Sequence, residues 1–149
     1  MSAMPITGGP YLQAALFCER VLQEVDGVLT LVRVVDRWNI TGTSESMLPT
    51  AIQTNIVLMF KSGMFRGPAQ VMVTPISPRG NRLQPVTIPA NFEGDEDRGV
   101  NIVLPIGFPV QEPGPYWFEV AVAGQVMTNM PLRVVYLQQS GPMIAGSNP

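Results

Sequence analysis

The sequence predicts an all-β domain built as two packed sheets, on three observations. Apolar residues recur at every second position over most of the chain. No segment keeps a helical period for long. Turn residues punctuate the chain at the short intervals of a sandwich or barrel. Its 149 residues are one domain's worth, enough to bury a core without metal or disulfide staples.

The elements follow in order. Residues 1–10 read as a flexible end; they have no basic run and no continuous apolar run, so they do not resemble a signal peptide. Tyr11–Leu22 has helical propensity, but Asp26-Gly27 before a β-branched run is a hairpin signal and decides for a strand. Leu12–Leu22 is therefore expected to pair with a strand Val28–Ile40, in which Val28, Val32, Val34, Trp38 and Ile40 share a face. Cys18 is expected on an apolar face with Leu12, Ala14 and Leu16. Thr41–Thr54, rich in Thr and Ser, reads as a loop.

Ile56, Leu58 and Phe60 then alternate with Val57, Met59 and Lys61, and Val71 and Val73 open the next strand after Phe65-Arg66-Gly67-Pro68. Pro78-Arg79-Gly80-Asn81 is a hairpin turn by residue type, followed by Val86, Ile88, Ala90 and Phe92. Glu93–Gly99 is a polar loop. From Val100 to Val110 every even position is apolar, and Pro105 and Pro109 delete ladder donors, which predicts an edge or bulged strand. Tyr116, Phe118, Val120 and Val122 face one way, with Trp117, Glu119, Ala121 and Ala123 opposite. A tight turn at Ala123-Gly124-Gln125 leads to a last strand through Val126, Met130, Leu132, Val134 and Tyr136, where Pro131 suggests a bulge or an edge. Residues 138–149 read as a flexible tail. The expectation is about eight strands over residues 11–137.

Glu112-Pro113-Gly114-Pro115-Tyr116-Trp117-Phe118 resembles the start of strand F in immunoglobulin-like sandwiches. Tyr116 would form the tyrosine corner, its hydroxyl bonded to upstream backbone, and Phe118 would stand where such domains place a core cysteine. The chain also resembles a family of small, uncharacterised bacterial β-sandwich proteins over about residues 14–137. The residues carrying this are Ala15–Glu19 with Asp26-Gly27, Val34–Arg37, Phe92–Gly94 with Gly99–Asn101, and Gly114–Phe118 with Pro131–Tyr136. The resemblance implies the fold and a soluble bacterial protein, and carries over no functional residue.

Composition narrows the function. The chain has no histidine, which excludes imidazole triads and histidine-ligated zinc. A net charge of −2 argues against a nucleic-acid binder. Only 13% of residues are charged, but no apolar run approaches the length of a membrane-spanning helix. One cysteine and an N-terminus unlike a signal peptide favour the cytoplasm as the expected location. No enzyme, cofactor or metal is expected. The run Asp95-Glu96-Asp97 beside Glu93 lacks the alternation of a calcium loop, and Arg98 opposes a cation. Cys18, on an apolar face, reads as a structural thiol.

The remaining signal is a surface. If Tyr116 and Phe118 face the core, Trp117 faces outward; a one-residue shift of register would bury it instead. Val103, Ala121, Ala123 and Val135 at outward positions leave more apolar surface than a guarded monomer needs. The expected interface is Trp117, Glu119, Ala121, Arg133 and Val135, used for self-association or a protein partner. A carbohydrate or small-ligand binder using the exposed aromatics is the alternative, and calcium-dependent membrane docking through residues 93–97 a weaker one.

Overall fold

The computed structural model describes residues 8–95 and 98–139. Both sets of terminal residues expected to be flexible lie largely outside that range. The strands are β1 (Tyr11–Gln23), β2 (Leu29–Val35), β3 (Arg37–Gly42), β4 (Thr50–Lys61), β5 (Arg66–Ile76), β6 (Val86–Glu93), β7 (Gly99–Val110), β8 (Gly114–Val122) and β9 (Gln125–Gln138). They form a four-stranded sheet in the order β2-β1-β4-β7 and a five-stranded sheet in the order β3-β9-β8-β5-β6. All pairings are antiparallel except β3 with β9.

Alternation dictates the core. The even residues Ile102–Val110 of β7 and Ile56, Leu58 and Phe60 of β4 face Val71, Val73, Phe118, Val120, Leu132 and Val134 from the other sheet. Phe118 is fully buried and meets Phe17 of β1 and Phe108 of β7 edge to face, at 5.1 and 5.0 Å between ring centres. Phe92 closes the far end against Phe60 and Phe65. The tyrosine corner is formed: Tyr116 donates its hydroxyl to the Glu112 carbonyl at 2.9 Å. With that corner on the strand corresponding to F, and with the chain passing from one sheet to the other between β2 and β3, the fold is an immunoglobulin-like sandwich.

The predicted turns are present. Gly27 (φ +88°) closes the Glu24–Val28 turn, and Gly80 donates to the Ser77 carbonyl at 2.9 Å. Ala123 and Gly124 both have positive φ, as a two-residue type I′ hairpin requires. β7 is an edge strand, as its prolines predict.

Four expectations need correction. Val28–Ile40 is not one strand: it breaks at Asp36, β2 staying beside β1 and β3 crossing to the other sheet. Arg33, at φ +56°, distorts β2, and Val28 and Val34 are exposed, whereas Trp38 and Ile40 pack on the core. On β1 the register shifts between Leu12 and Ala14. The bulge turns Leu12, Ala15 and Phe17 inward, so Leu16 and Cys18 face the other way. The expected loop Thr41–Thr54 is shorter, because Thr41-Gly42 extends β3 and Thr50–Thr54 begins β4. Finally, Pro131 marks neither an edge strand nor a bulge. β9 is interior and its register shift lies opposite Val120/Ala121; Pro131 sits just before β3 begins to pair at Arg133, where a missing N–H costs nothing on that side.

Candidate functional site

The outward face of the five-stranded sheet holds the residues singled out from the sequence. Cross-strand partners point to the same side of a sheet. Trp117 pairs with Pro131 and with Ile76, and Arg133 pairs with Pro115 on one side and Arg37 on the other. Because Tyr116 and Phe118 are buried, Trp117 must point outward, and it is 41% exposed. Together Asp36, Arg37, Pro115, Trp117, Pro131 and Arg133 line a shallow hollow of about 430 Å³. Two prolines flank the indole. Arg37 Nε donates to Asp36 Oδ1 at 3.3 Å.

The five predicted residues do not form one cluster. Trp117 and Arg133 share the hollow. Glu119 lies one row away and is held by Arg82 in an ion pair that crosses the sheet. Ala121 is buried and Val135 half-buried, at opposite ends of the β8–β9 ladder. Sequence reasoning missed Arg37 and Asp36. Their place depends on the crossing of β3 into this sheet, and the one signal was the polar pair Asp36-Arg37 inside a β-branched run.

The contiguous apolar outer surface is on the four-stranded sheet instead. Leu16, Val57 and Val103 form one row, Ala14, Met59 and Asn101 the next, and Cys18 and Asn55 continue with Val34 and Pro105. None is charged. Yet this face largely covers itself: Val57 and Cys18 have no exposed surface, and only Val34 and Val103 are substantially open among its large apolar side chains. Each outward position spans about 33 Å², from strand spacings of about 4.8 Å and about 6.8 Å per two residues. Ten positions give about 330 Å², within what monomers carry and below the ~800 Å² each partner contributes to a standard interface.

Other chemistry is sparse. Burial pushes the Cys18 thiol above its ordinary value of 9.0, and its S–H points to the Arg20 carbonyl at 3.5 Å. That is the reverse of an activated nucleophile. In the acidic loop, Glu96 and Asp97 lie outside the described residues. Arg98 holds Glu93 at 3.3 Å and Asp95 at 3.8 Å. Among the described residues no group of three acidic, cysteine or histidine side chains is placed to hold a metal, and no helix is long and apolar enough to cross a membrane.

A family model described as a family of unknown function matches residues 13–135. The chain belongs to that family, DUF6941. The match spans almost the same segment as the resemblance carried by Ala15–Glu19 at one end and Pro131–Tyr136 at the other. This member of DUF6941 is similar to a crystal structure of an immunoglobulin-like protein from Pseudomonas aeruginosa. The match covers 87% of this chain and 99% of that one, at 9% identity and a TM-score of 0.39. No curated protein matches the sequence.

Proposed function

We propose that the protein is a non-catalytic cytoplasmic binding or assembly module that works through protein–protein contacts on the outward face of the five-stranded sheet. One observation carries the reading: Trp117 stands 41% exposed on an interior strand, framed by Pro115 and Pro131 and beside two arginines. A large aromatic left open on a rigid sheet gives contact area at little entropic cost. Trp and Arg are the residues that dominate interface energetics. The absence of histidine from the sequence and the buried, unactivated Cys18 support a non-catalytic role. The carbohydrate reading is weaker because the hollow is shallow, whereas a small ligand is usually held with most of its surface enclosed.

The test is light scattering after size exclusion, over a concentration series, for the parent and Trp117→Ala, together with affinity capture by both. Self-association or a captured partner, lost in Trp117→Ala, is expected. A strict monomer without partner, or an association unchanged by the substitution, overturns the reading. Thermal-shift screening against a sugar panel checks the alternative.

A further inference from the structure

The Trp117 shelf contains a charge arrangement that the sheet does not need for folding. Arg37 and Arg133 are register partners on adjacent strands, both outward and both lining the same hollow. Their backbones are about 4.8 Å apart, and like charges side by side on a sheet destabilise it. Nothing in the shelf fully neutralises them. Among the described residues Asp36 meets only Arg37, in a pair whose side chains are mostly exposed, and such pairs contribute little. Among the described residues the Arg133 guanidinium has no acceptor, although its backbone N–H donates to the Asp36 carbonyl at 3.2 Å. The nearby Glu119 is already engaged by Arg82, and Glu112 by Arg79. The shelf therefore presents one excess positive charge and two guanidinium forks on a chain whose net charge is −2.

We infer that the shelf recognises a carboxylate-bearing segment of a partner protein, with its acidic side chains on Arg37 and Arg133 and an adjoining apolar or planar group on Trp117. Guanidinium forks match carboxylates with two parallel hydrogen bonds. An acidic group also relieves the repulsion between the arginines, so the shelf gains more from it than from a neutral partner. A protein is the occupant rather than a free anion because the hollow leaves much of Trp117 in water; a protein supplies the missing cover itself. This inference rests on the reading of the Trp117 face as a protein interface and adds the chemistry of what binds there.

The experiment titrates the full chain with three capped decapeptides, alternating Glu, Lys or Gln with Thr, and with oligogalacturonate and inorganic phosphate. Calorimetry and tryptophan fluorescence read the binding. The Glu peptide is expected to bind, at least tenfold more tightly than the Lys and Gln peptides, with affinity falling as salt rises. Arg133→Gln and Arg37→Gln each weaken it several-fold, while Arg20→Gln and Arg66→Gln do not. Unfolding curves of each variant confirm that the fold is kept. Equal affinity for the three peptides, no binding of the Glu peptide, or indifference to both arginine substitutions overturns the inference. Preferential binding of oligogalacturonate or phosphate overturns the protein partner in favour of an anion or acidic sugar. If Trp117→Ala abolishes association while the arginine variants associate normally, the interface reading stands and the acidic partner falls. If Trp117→Ala changes nothing, both fall.

Discussion

The two outward faces of the sandwich are built by the same alternation and reach opposite outcomes. The four-stranded face carries Leu16, Val57, Met59 and Val103 with no charge among its central positions, yet Val57 is wholly covered by its neighbours. The five-stranded face carries charges and prolines, yet leaves its largest side chain, Trp117, open. Apolar composition is thus a poor guide to which surface can bind. Similar-sized aliphatic side chains in neighbouring rows close over one another, whereas the indole stands among flat proline rings and arginines that leave it 41% exposed. The exposed area that remains is what a partner can use.

Substitutions at matched outward positions sharpen the contrast. Val57→Asp puts a carboxylate into a fully covered site and is expected to cost about 3 kcal/mol or more in urea unfolding. A loss below about 1 kcal/mol would mean that the four-stranded face is open after all. Tyr116→Phe removes the corner hydrogen bond beneath the Trp117 face and leaves the Glu112 carbonyl without that donor; a loss of about 1–2 kcal/mol is expected by the same measurement. Trp117→Ala is expected to cost at most about 1 kcal/mol of stability while association is lost.

Alkali separates the two layers. Burial raises the Cys18 thiol above 9.0 and the Tyr116 phenol above 10.0. Each group holds its proton longer in the folded than in the unfolded chain. Stability is therefore undiminished below the ordinary values and falls as pH rises past them, first through Cys18 and then through Tyr116. Cys18→Ala is expected to flatten the earlier part of the decline and Tyr116→Phe the later part, read as unfolding midpoints between pH 8 and 11. The smallest effect belongs to the hairpin that joins β8 to β9. Ala123 occupies a left-handed position at φ +51°, and Ala123→Asn is expected to raise stability by about 0.5 kcal/mol in thermal unfolding.

Much of this fold was legible in residue order. The even positions of Val100–Val110, the Ala123-Gly124 turn and the Tyr116 corner each depend on neighbours within a few residues, and each stands where alternation and turn chemistry put it. The candidate site was legible only in part. Trp117 follows from the alternation of β8, but Arg37 comes from a strand that changes sheets, and Ala121 proved covered rather than open. The bulge at Leu12/Ala14 likewise reversed the facing of Cys18, since one extra residue sends every later side chain to the other side.

By itself, then, the sequence determined the all-β class, the strands from Ile56 onward, the corner at Tyr116 and the absence of imidazole chemistry, because period, turn residues and composition are local properties. Only the tertiary structure decided where Val28–Ile40 divides, that Arg37 lies beside Arg133 on a parallel strand, and which outward face remains open. Those outcomes depend on contacts between strands far apart in the chain and on how neighbouring side chains cover one another, which no local pattern encodes.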